Sequence, residues 1–555
     1  MKGRLRITGG KVYDPRNGVD GAVADVCIED GRIVASLPDD APVLDARGLI
    51  VMPGGVDIHC HIAGPKVNLA RRLEPERHRA DPVPRRVVRS DDGPRVLRSG
   101  AGGVVPSTFA TGYRYAGLGY TSAFEAAVPA IGARQAHQEL NDTPVIDKAF
   151  FLLFGNDDFL LRLLARGEQE LARHYMAYML RAARAYTVKV VNPGGVAAWK
   201  AGAAISGLDE ALPGYDGVTP RRIVQAIASA ADELGLPHPM HIHCNNLGVP
   251  GNADTTLETM RAVEGRRAHF THIQFHAYGS TEDGRPTSRA RELVEYVDAH
   301  PNLSVDVGQV MFGAATAMTA DTRVAHLLHR LSGRKWVAMD VELESGCGIV
   351  PYEYSEKSYV HTLQWAVGLE FFLLARDPWR VVLSTDHPNG GSFLSYPRLI
   401  RLLMDRTFRD EQIRKVNPRA LEGTALADGL DREYTLYEIA IITRAAPARL
   451  LGLEHKGHLG PGADADITIY APAEDVETMF STPRYVFKRG ELVVEDGELR
   501  REVYGTTLQV EPEYDADIER VLRRHFEERG TLGLEAYRVD EAEVADLARV
   551  ATLKR

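Results

Sequence analysis

Residues 55–64 read GVDIHCHIAG, and this stretch places His59 and His61 one residue apart at the end of an apolar run. Side chains alternate between the two faces of a strand, so residues two apart point the same way. If the run is a buried strand, both imidazoles project from one face near its carboxyl end. A single His-x-His pair can also arise by chance in a chain with 19 histidines. Its meaning therefore depends on the rest of the sequence.

The middle of the chain alternates short apolar runs with longer amphipathic stretches that predict helices. Eight runs are predicted to be strands: GVDIHCH (55–61), GYTSAFEA (119–126), KAFFLLF (148–154), YTVKVV (186–191), PMHIHC (239–244), RAHFTHI (267–273), LSVDVG (303–308) and VVLSTD (381–386). This alternation predicts an α/β fold, a (β/α)8 barrel. A doubly wound sheet is the alternative, but no GxGxxG motif follows an early strand.

Both ends of the chain carry short β-type runs, with turn signals in EDGRI, KRGEL and EDGEL. They predict one small β-domain built from the two termini. A polar tail follows, with an amphipathic helix that carries Ile518, Val521, Leu522 and Phe526 on one face. The predicted domains are a β-sandwich from residues 1–52 and 451–510, the barrel from 53–450, and a helical tail from 511–555.

Composition excludes several classes of protein. The net charge of −10 argues against a nucleic-acid binder, and no apolar stretch has the length of a membrane span or the form of a signal peptide. The cysteines are Cys27, Cys60, Cys244 and Cys347, and they form neither a CxxC motif nor a disulfide framework. These features predict a cytoplasmic protein that binds neither nucleic acid nor membrane.

Polar side chains recur at the carboxyl ends of the predicted strands, where barrel enzymes carry their chemistry. They are His59, His61, Lys189, His241, His243, His272 and Asp386. Each has a structural explanation when taken alone: Lys189 could extend toward solvent, the strand-five histidines could be core residues, and Asp386 could cap a helix. Their coincidence at one end of one barrel favours a functional site.

This pattern resembles the amidohydrolase superfamily with a dinuclear metal centre, as does GHLGPGADADI (457–467). Longer blocks resemble the A subunits of formylmethanofuran dehydrogenases and of bacterial formyltransferase/hydrolase complexes. These blocks are MPGGVDIHCHIAGPKVN, VPSTFATGYRYAGLGYTSAFEAA, YTVKVVNPGG, HIHCNNLGVPGN, THIQFHAYG, MTADTR, DVELESGCGIVP and STDHPNGG. The resemblance implies hydrolysis of the N-formyl group of formyl-methanofuran or formyl-methylofuran in one-carbon metabolism, which yields formate and the free amine.

The same resemblance implies two Zn²⁺ ions bridged by carboxylated Lys189. His59 and His61 would bind one ion together with Asp386, which would also act as general base and then general acid. The second ion would be bound by two further histidines. These are His243 and His272, with His241 as an outer residue because His243 lies nearer the end of its strand.

Partners and reaction direction also follow from the resemblance. It implies that the chain works with a formyltransferase subunit, together with dehydrogenase-like B and C subunits. An archaeal-type dehydrogenase would run the reaction as a condensation, and composition favours the bacterial hydrolytic form. Two competing interpretations are a hydrolase of the dihydropyrimidinase or D-aminoacylase type, which would use the same metal ligands, and a scaffold that has lost its metals.

Substrate contacts are predicted at two places. Asn245 and Asn246 follow strand five and could orient substrate, or could be ordinary loop amides. Segment 66–98 carries ten basic and five acidic residues, a net charge of +5. We expect Arg71, Arg72, Arg85 and Arg86 in this segment to bind the polyglutamyl tail that the resemblance implies for the furan cofactor. The alternatives are docking to an acidic partner subunit and an ordinary solvated run of charges.

Overall fold

The computed structural model describes residues 3–75, 87–90, 93–96, 102–339, 347–530 and 532–553. Its centre is a parallel sheet with eight strands in chain order: Gly55–Cys60, Tyr120–Val128, Asp147–Leu153, Thr187–Val191, Met240–His243, Ala268–Phe270, Leu303–Asp306 and Val381–Val382. We refer to these as barrel strands one to eight. A parallel bridge joins Cys60 to His387, and His61 N donates to His387 O at 2.7 Å. The first and last strand segments therefore meet, and the predicted barrel is confirmed.

Two barrel strands are shorter than the sequence pattern suggests. Strand six ends at Phe270, and His272 two residues later has φ 36°. Strand eight ends at Val382, and Asp386 has φ 49°. A strand cannot continue where the backbone leaves the extended region, so both residues lie on tight turns beyond their strands. The candidate site residues at these two positions therefore lie on loops.

Helices pack around the barrel as the apolar periodicity predicts. In Pro220–Glu233 the Thr219 hydroxyl caps the first turn by accepting from Arg222 N, and Pro220 occupies the first position. The larger helices are Pro65–Leu73, Thr108–Gly117, Ala133–Asn141, Asp158–Ala165, Gln169–Ala182, Gly195–Lys200, Pro220–Glu233, Asn252–Ala262, Ala290–Ala299, Thr322–Ser332, Tyr359–Leu374, Tyr396–Met404, Arg406–Ile413, Val476–Ser481 and Asp517–Arg529. Shorter helices are Pro418–Leu421, Leu436–Ala440 and Ala446–Leu450. No helix in the described ranges is long and apolar enough to cross a membrane.

Strands from both ends of the chain form one nine-stranded sheet, which confirms the predicted small β-domain. Its members are Arg4–Asp14, Val19–Glu29, Arg32–Val34, Val43–Asp45, Ile50–Pro53, Ile467–Tyr470, Tyr485–Lys488, Glu491–Glu495 and Glu498–Leu499. Ile50–Pro53 pairs antiparallel with Ile467–Tyr470 and so joins the two termini. The three predicted turns are two-residue hairpins whose central residues all have positive φ, for example Asp30 at 50° and Gly31 at 81°.

The C-terminal tail contributes more than a helix. Its helix Asp517–Arg529 buries Ile518, Leu522 and Phe526, as predicted. Its strand Leu547–Arg549 pairs with Thr507–Gln509, which lies just before the tail and extends the barrel sheet beside strand three. The tail segment is therefore attached to the barrel through backbone hydrogen bonds.

A segment that the sequence pattern did not predict covers the carboxyl end of the barrel. Between barrel strands seven and eight, the strands Gly313–Thr319, Val337–Met339 and Cys347–Tyr354 form a small antiparallel sheet next to helix Thr322–Ser332. We call these four elements the roof. Two separate hairpins, Tyr278–Ser280 with Pro286–Ser288 and Val87–Ser90 with Gly93–Val96, complete the described strands.

Candidate metal centre

The first barrel strand delivers its two histidines to one carboxylate. His59 Nε2 lies 3.0 Å and His61 Nε2 lies 3.2 Å from Asp386 Oδ1. The bridge between Cys60 and His387 produces this arrangement, because it places the turn after strand eight beside the end of strand one. Two imidazole nitrogens and a carboxylate oxygen at one point form a group that can bind a metal ion.

A second, buried carboxylate contacts the Nδ1 atom of each of these histidines. His61 Nδ1 lies 2.9 Å from Glu125 Oε1, and His59 Nδ1 lies 3.3 Å from Asp306 Oδ2. A carboxylate on one ring nitrogen fixes the tautomer and leaves the lone pair of the other nitrogen available to a metal. Glu125 and Asp306 therefore orient the pair toward Asp386.

Lys189 projects from barrel strand four into the same group. Its side chain is 1% exposed, and its Nζ has no hydrogen-bond partner among the residues that the structure describes. Burial lowers the pKa of Lys189 to about 7, although Asp306 and Asp386 act in the opposite direction. A neutral amine keeps the lone pair that reaction with CO₂ requires, so the environment suits a carboxylated lysine.

Strand five and the turn after strand six supply the remaining predicted histidines. The rings of His243 and His272 have centroids 4.7 Å apart, and both are buried. His243 Nε2 and His272 Nδ1 have no hydrogen-bond partner within the described part of the chain. Burial lowers the pKa of His272 to about 3 and that of His243 well below its ordinary value. Both rings therefore present neutral nitrogens, the form that binds metals.

His241 and His243 share a strand face but occupy different levels of the barrel. His241 Nε2 lies 3.0 Å from His59 Nδ1, and its Nδ1 lies 2.9 Å from His238 Nε2. Both nitrogens of His241 thus contact other histidines in the barrel interior. His243 is the one that lines the open cavity above. This difference favours His243 as the metal ligand and His241 as an outer residue.

A cavity of about 540 Å³ opens above the group and is covered by the roof. Its floor contains His59, His61, Lys189, His243, His272 and Asp386. Its walls are mostly apolar or aromatic and include Leu247, Phe275, Met318, Tyr352 and Tyr354. A small polar floor with apolar walls is typical of a site that binds and orients a small organic molecule.

Comparisons with known proteins agree with this geometry. The sequence model of the amidohydrolase family matches residues 42–494. The chain belongs to the amidohydrolase family. Protein FwdA of Methanocaldococcus jannaschii is 46% identical over 531 residues, which cover 92% of this chain and 92% of FwdA. The A subunit of the formyltransferase/hydrolase complex Fhc of Methylorubrum extorquens is 41% identical over 552 residues, 97% of this chain and 96% of that protein.

A solved structure is similar to this chain over its whole length. This amidohydrolase superimposes with a TM-score of 0.92 on a chain of the formyltransferase/hydrolase complex (FhcABCD) from Methylorubrum extorquens in complex with methylofuran. The two chains are 39% identical, and the match covers 99% of this chain and 100% of that one. The likeness therefore includes the barrel, the small β-domain and the tail.

The two asparagines that are predicted to contact substrate in this amidohydrolase lie away from the cavity. Asn245 is buried and donates to Asn192 Oδ1 at 2.8 Å, while Asn246 donates to Ser206 O at 2.8 Å; neither lines the cavity. The backbone turns away after strand five, where Asn246 has φ 62°. Both amides therefore support the loop in this structure, and their contact with substrate stays a prediction.

The two described arginines of this prediction, Arg71 and Arg72, have different surroundings. Arg71 donates to Pro106 O at 2.8 Å, to Ile62 O at 2.9 Å and to Glu139 at 2.9 Å, so its guanidinium anchors the loop. Arg72 is exposed at the end of the same helix. Arg85 and Arg86 lie outside the described residues. Of the two described arginines, Arg72 is the better candidate for contact with an acidic ligand, and the roles of the other two stay predictions.

The sequence pattern did not identify three residues at the centre. Glu125 lies in the second half of barrel strand two, within SAFEAAV, and Asp306 is the last residue of barrel strand seven, within LSVDVG. An acidic residue inside an apolar strand is the signal that could have identified them, by the same argument as for Lys189. The third is His276, which lies four residues after His272 on the turn Ile273–His276. The roles of all these residues as metal ligands or supports remain predictions.

Proposed function

We propose that this amidohydrolase hydrolyses the N-formyl group of formyl-methylofuran or formyl-methanofuran. In this reaction R–NH–CHO and water give R–NH₂ and formate. The observation that carries the proposal is the convergence of four histidines, a lysine and an aspartate on the floor of one cavity. The relative from the Fhc complex and the FhcABCD structure in complex with methylofuran support the choice of substrate.

The residues present fit a pair of zinc ions. His59, His61 and Asp386 would hold one ion, and His243 and His272 the other, with carboxylated Lys189 between them. The buried nitrogens without partners in the described ranges support this assignment, since buried polar atoms in folded proteins are otherwise paired. Bound zinc would supply an acidic water that acts as a nucleophile near neutral pH, and would polarise the formyl oxygen.

Asp386 would carry the proton during the reaction. His59, His61 and Asn389 all approach Asp386 Oδ1, with Asn389 Nδ2 at 3.0 Å. With these contacts on Oδ1, the second oxygen Oδ2 would accept the proton of the attacking water. The carboxyl group would then return this proton to the amine nitrogen as the C–N bond breaks.

The cavity walls would bind the amine part of the substrate. Phe275, Tyr352 and Tyr354 give flat apolar surface of the kind that packs against an aromatic or furan ring. The roof would exclude bulk water from the floor, which strengthens the charge interactions there. A formyl group is small enough to reach the floor while the ring remains among these side chains.

We further propose that the chain works in a complex with a formyltransferase subunit, together with dehydrogenase-like B and C subunits. The name of the relative from the Fhc complex supports this arrangement. The 46% identity with FwdA of Methanocaldococcus jannaschii favours a second candidate, a component of an archaeal-type dehydrogenase that runs the same reaction as a condensation. The site chemistry is the same in both directions, so the partners would determine the net flux.

Formate release from purified protein tests the proposal. Formyl-methylofuran and formyl-methanofuran would be compared with dihydrouracil and N-acetyl-D-amino acids, while mass spectrometry measures zinc. We expect formate only from the formylated furans, about two zinc ions per chain, and loss of turnover on chelation. Ring opening of dihydrouracil without formate release would instead support another hydrolase, and absence of both zinc and turnover would support a scaffold. Incubation of free amine with excess formate would measure the condensation.

A further inference from the structure

His276 is a buried histidine that the proposed reaction does not use. It ends the short turn Ile273–His276 and is 0% exposed. Neither of its ring nitrogens has a hydrogen-bond partner among the described residues. A buried side chain with two unsatisfied polar atoms is rare in folded proteins and requires an explanation.

The surroundings of His276 include two predicted metal ligands. Its ring centroid lies 5.1 Å from that of His243 and 5.3 Å from that of His272, on which it stacks at 25°. Each of the three residues offers a ring nitrogen that lies within 4.8 Å of the other two. His243 Nε2 and His272 Nδ1 are also without partners within the described ranges. Four unsatisfied imidazole nitrogens therefore gather at one buried place.

A metal ion satisfies such a group. Three histidines with an open fourth position form a common zinc site, and His272 and His276 have the His-x3-His spacing found in zinc proteins. Zinc–nitrogen bonds of about 2.0–2.1 Å in a tetrahedron place the nitrogens about 3.4 Å apart. Small rotations of the three side chains would bring their nitrogens from within 4.8 Å to that separation.

We propose that His276 binds the second ion together with His243 and His272, so that three protein imidazoles hold this ion without the help of Lys189. The identity of the ion as zinc rests on the proposed function. The two metal positions would then differ: the ion at His59, His61 and Asp386 needs carboxylated Lys189, whereas the three-histidine site fills alone. This site would load first.

Zinc content in a Lys189→Ala background tests the proposal. The full-length Lys189→Ala protein and the Lys189→Ala/His276→Gln protein would be equilibrated with the same buffered free zinc and measured by mass spectrometry. His137→Gln in the same background is the matched control, because His137 is equally buried but contacts Ala183 O away from the site. Circular dichroism and melting of the metal-free proteins would check folding, with His276→Asn as a second variant.

We expect about one zinc ion per chain in Lys189→Ala and in the His137 control, and none in the His276 double variants. The affinity of these double variants for zinc should be at least about tenfold weaker than that of Lys189→Ala. The visible absorption of cobalt-loaded Lys189→Ala should change in the same variants. Equal zinc in Lys189→Ala with and without His276, or no zinc in Lys189→Ala, would overturn the proposal. Zinc retained without formate release from any formylated amine would reject the proposed function and leave this site standing.

Discussion

The barrel carries a buried group of charged residues at each end, and the two groups differ in how they are satisfied. The group at the amino ends of the strands, which we call the basal ion cluster, consists of Asp147, Asp464, Asp466, Lys456 and Lys488. Lys488 Nζ donates to Asp147 at 2.6 Å, to Asp466 at 2.8 Å and to Thr121 O at 3.1 Å. At the carboxyl ends, Lys189 Nζ has no hydrogen-bond partner among the described residues.

This difference separates lysines that are paired within the chain from Lys189, the lysine proposed to act at the metal centre. Although burial lowers the pKa of Lys456, Asp147 and Asp466 raise it well above its usual value, so the Lys456 ammonium group remains charged. Burial instead lowers the pKa of Lys189 to about 7. The basal ion cluster joins the barrel to the small β-domain through pairs that are complete within the chain. At the other end, Lys189 Nζ, His243 Nε2 and His272 Nδ1 have no partner among the described residues, which fits the metal centre proposed there.

The largest expected effect is that of Lys189→Ala. Removal of the lysine removes the proposed bridge between the ions, so formate release should fall below detection and zinc should fall from about two ions per chain to about one. Added short carboxylic acids should restore part of the rate by replacing the carbamate. Near-normal turnover with two bound ions would contradict the assignment.

Asp386→Asn should act on proton transfer more than on metal binding. The amide is close in size to the carboxylate but cannot accept the proton, so we expect kcat to fall by about 10²–10⁴-fold. Zinc should remain in the protein, as measured by mass spectrometry on the same sample. Zinc loss in proportion to rate loss would instead identify Asp386 mainly as a ligand.

Lys488→Met should lower the stability of the protein and leave its zinc content unchanged, which is the reverse of the effect expected for Lys189→Ala. It leaves Asp147 and Asp466 with one fewer cation in a buried environment, and breaking such a pair costs about 3–5 kcal/mol of unfolding free energy. Lys456 remains beside both carboxylates, so the lower end of that range is expected. Urea unfolding would measure the loss. The zinc content per folded chain should be unchanged, and a drop would show that the two ends are coupled.

Much of this organisation could be predicted from the sequence, because each barrel strand is an apolar run and the functional residues follow such runs. Lys189 is identifiable since a lysine inside an apolar strand is unusual. Glu125 and Asp306 break their apolar strands in the same way, but they support ligands and do not follow the ligand pattern itself. The contacts of Asn245 and Arg71 could not be predicted, because they depend on neighbours distant in sequence.

The roof could not be predicted for a different reason. Its strands Gly313–Thr319 and Cys347–Tyr354 pair with each other and not with the barrel, so they interrupt the strand and helix alternation. Nothing in a short window distinguishes such an insertion from a long loop. The strand pattern does not identify His276, because this residue lies on a turn, where side chains do not alternate between two faces.

Glu125→Gln should have a smaller effect than the ligand substitutions. The amide can still contact His61 Nδ1, but it no longer carries the negative charge that orients the ring toward the metal position. Removal of a support of this kind typically costs about 10–100-fold in metal affinity. Competition with a zinc chelator would measure the change, and Glu139→Gln is a matched control because Glu139 contacts Arg71 outside the group. Equal effects of the two substitutions would remove Glu125 from the metal centre.

The smallest expected effect concerns Arg72, the described arginine of segment 66–98 that remains a candidate for the acidic tail. It is exposed at the end of helix Pro65–Leu73, which begins just after the metal-binding strand. An exposed ion pair contributes about 0–1 kcal/mol, so Arg72→Ala should raise KM for the long-tailed cofactor by about two- to fivefold at most. A truncated formyl-amine without the tail should show no change, and added salt should reduce the difference.

Arg71→Ala should differ, since its three contacts anchor the loop and its loss should lower stability and affect both substrates. An equal rise in KM for both substrates with Arg72→Ala would reject tail binding and favour contact with a partner protein.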